Sequence, residues 1–292
     1  MRIAVGYATK GRRDVIALSI IALARQTRSP DHVFFSITSE EDLDRNDLDQ
    51  VPCPVSVISD QASGLCSQRN RILERCSEFD IVIYFDDDFI MRSDYIESLE
   101  TIFASDENIQ LLTGRVVADG ASGPGLSASE AEETLRVSEN HSAMIEDVFS
   151  AYGCNMAVRM PLVKKQDLRF DEELPLYGWL EDMCFSRMVV LHGRVVRATN
   201  LVGVHLGVKK ARVSGRKYGY SQIANPLHLK SRGLVSQPLV IRYIARNLAM
   251  NIARYAWPEP WIDRRGRFRG NLLALRDLIS GKVHPRRILE EI

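Results

Sequence analysis

The apolar run Ile81-Val82-Ile83-Tyr84-Phe85 ends in three consecutive aspartates, Asp86, Asp87 and Asp88. A buried strand that stops at clustered carboxylates carries negative charge to the rim of a sheet. Like charges that close repel unless a cation or a ligand's donors hold them. A hard divalent metal carrying phosphates meets that demand; a solvated acidic turn is the alternative. Two distant features share the chemistry, Gly178-Trp179-Leu180-Glu181-Asp182 and Val204-His205-Leu206. Carboxylate oxygens and a neutral imidazole are ligands for magnesium or manganese. Glu181 and Asp182 open a predicted helix, where unpaired amides and the helix dipole favour carboxylates. An ionised carboxylate there can take a proton from a substrate hydroxyl. Singly, a Glu-Asp pair reads as helix capping and one histidine as structural; the specific signal is their order and separation.

The elements that must position these groups alternate between strand and helix. Strands are predicted over residues 2–8, 32–38, 55–59, 81–85 and 109–117, with helices over 14–25, 65–76 and 93–105. The pattern predicts a Rossmann-like, mostly parallel α/β sheet flanked by helices, binding ligands at the strands' C-terminal ends. Residues 7–13, 38–42, 60–70 and 86–88 all fall on that rim, which is the argument for a nucleotide cleft. Residues 118–129, rich in Gly, Ser and Ala, read as a surface loop. A strand over 151–159, a helix over 180–192 and a strand over 195–204 follow. Two basic helices, 237–255 and 269–280, flank Trp257-Pro258-Glu259-Pro260-Trp261.

With 292 residues and 45% apolar content, the chain can bury one catalytic domain, expected over 1–206, with a basic helical extension over 207–292. Its formal charge of zero conceals an asymmetry. Up to Leu206 there are 20 basic and 33 acidic residues, and from Gly207 onward 18 and 5, so −13 is followed by +13. A basic C-terminal third implies contact with phosphates on a nucleotide or an anionic membrane, or packing of the two parts on each other. The five cysteines, Cys53, Cys66, Cys76, Cys154 and Cys184, are scattered without Cys-x-x-Cys spacing, as reduced cytosolic thiols are. The N-terminus reads as a strand and not as a signal peptide, and no uncharged apolar stretch is long enough to cross a bilayer. A cytoplasmic protein is expected, soluble or peripheral on the cytoplasmic face of the inner membrane.

The order of motifs resembles glycosyltransferase family 2, the inverting GT-A enzymes, of the bacterial polysaccharide type. The likeness covers residues 2–205. Gly64-Leu65-Cys66-Ser67-Gln68-Arg69-Asn70 resembles the family's Gly-x-x-x-x-Arg-Asn helix start, Asp86-Asp87-Asp88 its Asp-x-Asp metal motif, and Glu181-Asp182 its Glu-Asp motif. Gly153-Cys154-Asn155-Met156-Ala157-Val158-Arg159 is similar to the strand before the acceptor site. The resemblance implies a nucleotide-diphosphate sugar donor, with UDP as the family default, and Mn2+ or Mg2+ held by Asp88 and His205. Asp182 would be the base, with Glu181 orienting it or binding acceptor. Thr9, Arg12, Glu40, Asp60, Arg69, Asp86 and Asp87 are the nucleotide-facing candidates, and Trp179 and Asn155 the acceptor-facing ones. The acceptor would be a saccharide or a lipid-linked saccharide.

Lys209, Arg212 and Lys217, beside Gly207, Gly215 and Gly219, are expected to form a lid that closes over a diphosphate. The C-terminal arginines with Trp257 and Trp261 suit an anionic membrane surface; docking on the catalytic core or on a second subunit of a homodimer is the alternative. A nucleotidyltransferase is the competing enzyme class, but the N-terminus lacks a Gly-rich, Lys-bearing loop. A non-catalytic nucleotide-sugar or phospholipid-binding protein is the competing binder. No nucleic-acid reading module is present, so nucleic acid is not an expected partner.

Overall fold

A computed structural model describes residues 1–59, 64–138 and 144–290. In chain order the strands are β1 (Ile3–Ala8), β2 (His32–Ile37), β3 (Val55–Ser59), β4 (Ile81–Asp86), β5 (Phe89–Met91), β6 (Ile109–Asp119), β7 (Ile145–Asp147), β8 (Asn155–Arg159) and β9 (Arg194–His205). The helices are α1 (Arg13–Ala24), α2 (Leu65–Arg75), α3 (Tyr95–Ser105), α4 (Ala128–Val137), α5 (Met160–Gln166), α6 (Glu181–Val189), α7 (Gly215–Ser231), α8 (Gln237–Ala253) and α9 (Arg264–Ile279). Among the described residues the strands form one sheet in the order β3-β2-β1-β4-β8-β6-β9-β5, with β7 also paired to β9.

The first four positions are parallel, as the strand–helix alternation predicts. β1 and β4 are buried on both faces, hence their nearly continuous apolar sequence. Side chains alternate between two cores: Val5, Ile83 and Phe85 pack with Ile16 and Phe35 on one face, and Ala4, Val82 and Tyr84 with Ile72 and Phe185 on the other. Beyond β4 the sheet is mixed. β8 runs antiparallel to both β4 and β6, and β5 and β7 run antiparallel to β9. That reversal serves the site. β4 ends at the rim where β8 begins, so Phe85 pairs with Asn155 and the Asp86 amide donates to Cys154 O at 3.0 Å.

Several expected boundaries shift. Of residues 118–129, the first two end β6, 120–127 form the turn and the last two open α4, where Ser127 and Glu130 complete a reciprocal capping box. The strand expected over 151–159 is only its second half, and α5 follows at once. Residues 215–220, expected in a lid, open the 17-residue helix α7, capped by Ser214. α9 starts at Arg264, where Asp263 caps it.

α7, α8 and α9 bundle around Tyr220, Ile223, Ala224, Ala274 and Ile288. α7 and α9 touch backbone to backbone: a Cβ on Gly219 would lie 2.0 Å from Arg267 O, and one on Gly270 2.0 Å from Arg216 O. The bundle is fastened to the rest by His228 Nε2 to Asp171 at 2.7 Å and Asn225 Nδ2 to Trp179 O at 2.8 Å. Arg232 also pairs with Asp171. Part of the charge asymmetry is therefore consumed inside the molecule.

Candidate active site

Asp86, Asp88 and His205 each offer a ligand atom within 4.8 Å of the others. The strand register explains this convergence, because His205 on β9 stands opposite Phe89 on β5, one residue past the aspartate turn. His205 Nε2 is 3.2 Å from Asp88 Oδ1, while its Nδ1 is 2.9 Å from Asp119 Oδ1. Tyr152 donates to the other oxygen of Asp119 at 2.9 Å. This outer layer fixes the imidazole orientation, as partners of metal-binding histidines do. Burial opposes charge on His205, but its bonds to Asp119 and Asp88 outweigh it and push the pKa up to about 10. Burial would likewise raise Asp88; bonding to His205 and proximity to Arg12 prevail and hold it below the usual range.

The donor set suits a hard divalent cation: two carboxylates and one imidazole. Asp88 Oδ1 is buried and faces His205 Nε2 at 3.2 Å without an aligned hydrogen bond, so a bound cation would take the place of the imidazole proton between the two. Asp88 Oδ2, by contrast, accepts from the Val208 amide at 2.8 Å.

Asp87 is not a free nucleotide ligand. It is 4% exposed and accepts from Thr9 Oγ1 at 2.8 Å and Arg12 Nη1 at 2.9 Å. Burial is the main cause that raises its pKa, against the pull of Arg12. Thr9 and Arg12 thus brace the aspartate turn from β1. Arg12 also donates through Nε to Lys210 O at 3.0 Å, tying the segment after His205 to the same turn.

Arg69, named above among the nucleotide-facing candidates, points into the protein. It is 2% exposed and donates to Glu181 Oε1 at 2.6 Å, Asp86 Oδ1 at 3.0 Å and Gly153 O at 2.8 Å. Its guanidinium is spent on protein. Asn70 is also structural, donating to Phe170 O at 2.9 Å. Through Arg69 the aspartate turn and the Glu-Asp helix meet, because Gly153 N in turn donates to Asp182 Oδ2 at 3.0 Å. Only glycine allows this approach: a Cβ on Gly153 would lie 2.8 Å from Glu181 Oε1.

Asp182 receives a second amide bond, from Met183 N at 2.7 Å. Burial nonetheless prevails and raises its pKa. Glu181 is buried more deeply, with Oε2 unpartnered, and burial lifts it to about 8 despite Arg69. The chain enters α6 under strain, with positive φ at Leu176 (59°), Gly178 (61°) and Leu180 (73°). A leucine in the left-handed region is costly and persists only where the surroundings impose it. Here Leu176 is held by Leu65 N at 2.8 Å.

Trp179 lies half-buried on this turn, its ring 6.0 Å from both Tyr218 and Tyr243. Tyr177 is 6.2 Å from Tyr218. Lys217 lines a small pocket with these residues, Tyr177, Trp179 and Tyr218. Lys209 donates to Gly120 O at 2.8 Å and Ala121 O at 3.0 Å, and Arg212 to Gly207 O and Val208 O at 3.0 Å each. Lys209 thus fastens the segment after His205 to the turn after β6, while Arg212 folds that segment back on its own carbonyls.

Two further candidates have partners within the protein. Asn155 is fully buried, its Oδ1 accepting from Thr113 Oγ1 and from Gly114 N at 3.2 Å, so in this structure it ties β8 to β6. Glu40 is exposed and paired with Arg45 at 2.8 Å. The acid that organises that loop is Asp42, which accepts from Gly11 N at 2.6 Å and Thr38 N at 2.8 Å. Asp60 lies outside the described residues. Asp119, Tyr152 and Gly153 escaped the sequence reading. Gly153 lay within a quoted motif, but nothing local marked Asp119 or Tyr152.

The sheet order, the acidic rim and the helical cover define the fold of GT-A-like glycosyltransferases. No protein-family model and no curated protein sequence matches the chain. Solved structures do. S. aureus TarS residues 1–349 superimposes with a TM-score of 0.56 at 16% identity, over 99% of this chain and 82% of that one. The TarS 1–349 complex with UDP-GlcNAc gives 0.53 at 16% identity, over 99% and 83%. A mannosyltransferase from Pyrobaculum calidifontis, solved with GDP-Man and Mn2+, gives 0.57 at 11% identity, over 96% and 88%. Against a longer TarS structure the match covers 89% of this chain and 44% of that one, so this chain spans less than half of that protein.

Proposed function

We propose that the chain is a metal-dependent inverting glycosyltransferase that moves a sugar from a nucleoside-diphosphate donor to a hydroxyl of a saccharide or lipid-linked saccharide. The observation that carries this reading is the convergence of Asp86, Asp88 and His205 at one rim, joined through Arg69 and Gly153 to Asp182. The likeness to structures solved with UDP-GlcNAc and with GDP-Man and Mn2+ supports the donor class and leaves the base open. UDP-sugars are the first donors to test.

Asp86, Asp88 and His205 would hold Mn2+ or Mg2+, which supplies positive charge against the charge building on the leaving diphosphate. The protein's own contribution lies in Asp182. Its raised pKa makes it a better proton acceptor than an ordinary carboxylate, and two amides fix its direction. The acceptor oxygen forms a bond to the anomeric carbon as its proton passes to Asp182. The bond from that carbon to the diphosphate oxygen breaks on the opposite face, and the electron pair leaves with the nucleotide. One displacement inverts the centre, so an α-linked donor yields a β-glycoside. Trp179, with Tyr177 and Tyr218, offers apolar faces to an acceptor ring.

The test is a panel of nucleoside diphosphates titrated calorimetrically with Mn2+, followed by transfer or hydrolysis of the matching sugar donors. One nucleotide should bind tightly and only with metal. If none binds, the reading fails.

A further inference from the structure

We propose that the outward face of α8, continued by Trp257, docks on an anionic lipid bilayer. The proposal rests on this surface and not on the transfer reaction, so either can fail without the other.

α8 packs inward through Val240, Tyr243, Ile244, Asn247 and Asn251. Its other side carries Ile241 (55% exposed) and Ile252 (54%), with Arg242 and Arg246 also exposed, and Trp257 beyond it is 83% exposed. At 3.6 residues per turn, 241, 242, 245, 246, 249, 252 and 253 fall on one side. Three of these are alanines, so apolar and cationic side chains share a smooth surface.

Charge identifies the occupant. The 52 residues from Gly207 to Pro258 contain no Asp or Glu. The next acids are already committed: Glu259 to Arg264 at 2.9 Å, Asp263 to the Gly266 amide at 2.7 Å, and Asp277 to Arg287 at 2.7 Å. Neither Arg242 nor Arg246 meets a carboxylate among the described residues. A second copy packed by two-fold symmetry on this face would set arginine against arginine with no acid between them. Anionic headgroups supply the missing charge, and Trp and apolar side chains enter the headgroup boundary. No described helix is long and apolar enough to cross a membrane, so the mode is surface attachment. Tyr243, on the inner side of the same helix, packs against Trp179. Docking would hold the aromatic wall near the lipid surface, where a lipid-linked acceptor presents its sugar.

The experiment is co-sedimentation of the full chain, without donor or metal, with phosphatidylcholine vesicles containing or lacking phosphatidylglycerol. Binding is expected only with phosphatidylglycerol and should fall as salt rises. Arg242→Glu with Arg246→Glu should weaken partitioning about tenfold or more, as should Ile241→Asp with Trp257→Ser, with nucleotide binding and thermal unfolding unchanged. No binding to anionic vesicles, or equal binding by these variants, would overturn the proposal. So would a concentration-dependent dimer in light scattering that Ile241→Asp abolishes, which would assign the face to a second copy.

Discussion

Arg69 donates to Glu181 Oε1 at 2.6 Å in a place where the two are only 2% and 5% exposed. The same guanidinium reaches Asp86 at 3.0 Å. The residue that resembled a nucleotide contact is thus a brace between the two halves of the site. Removing Arg69 leaves Glu181 Oε1 and Gly153 O without their donor and Asp86 without its counter-ion. Arg69→Met should cost about 3–5 kcal/mol in denaturant unfolding. An unchanged midpoint would show that this brace contributes nothing.

Glu181 provides a pH signature for that brace. Burial raises its pKa from 4.5 to about 8. Between those values the folded state keeps a proton that the unfolded chain has released, so this group's contribution to stability falls as pH rises. Glu181→Gln should therefore be relatively more stable against wild type at pH 8 than at pH 5, judged from thermal midpoints. A difference independent of pH would place the proton elsewhere.

Asp182→Asn removes the proton acceptor while keeping the shape and one acceptor oxygen. Turnover should fall by about 10²–10⁴-fold with the dissociation constant for nucleotide and metal unchanged. Because burial raises Asp182, the acid limb of kcat/KM should lie above the ordinary carboxylate range, with activity gained as pH rises. Equal loss of nucleotide affinity would assign Asp182 to donor binding instead.

Metal removal separates the donor site from the base. Chelation, or Asp88→Asn, should weaken nucleoside-diphosphate binding by about 100-fold or more, read by calorimetry. Tight binding in the presence of chelator would dismiss the cation from the donor site.

Gly153→Ala tests the contact between β8 and α6. Its new methyl must sit 2.8 Å from Glu181 Oε1 and 3.2 Å from Asp182 Cβ. Overpacking of this kind costs about 1–3 kcal/mol and should displace the base, lowering kcat more than it raises KM. Full activity would mean that α6 shifts freely.

The parallel half of the sheet was legible because strands buried on both faces are nearly continuous apolar runs, and β1, β2 and β4 are such runs, while the half-buried edge strand β3 shows as Val55, Val57 and Ile58. The antiparallel entry of β8 was not, since pairing direction leaves no trace in a five-residue strand. α7 escaped because its glycines, read locally, suggest a loop, whereas they are where α9 approaches most closely.

The linear order of amino acids by itself determined which chemistry was available: carboxylates after an apolar strand, a Glu-Asp helix start, a histidine after the last long strand and a basic C-terminal third. Tertiary structure alone decided how those groups are used. It drew Arg69 inward to bridge Asp86 and Glu181, set Asp119 and Tyr152 behind His205, buried Asn155 within the sheet and paired Glu40 with Arg45. The physical reason is that a side chain's type states what it can bond, while its partners are chosen by strand register and burial, which depend on residues far away along the chain.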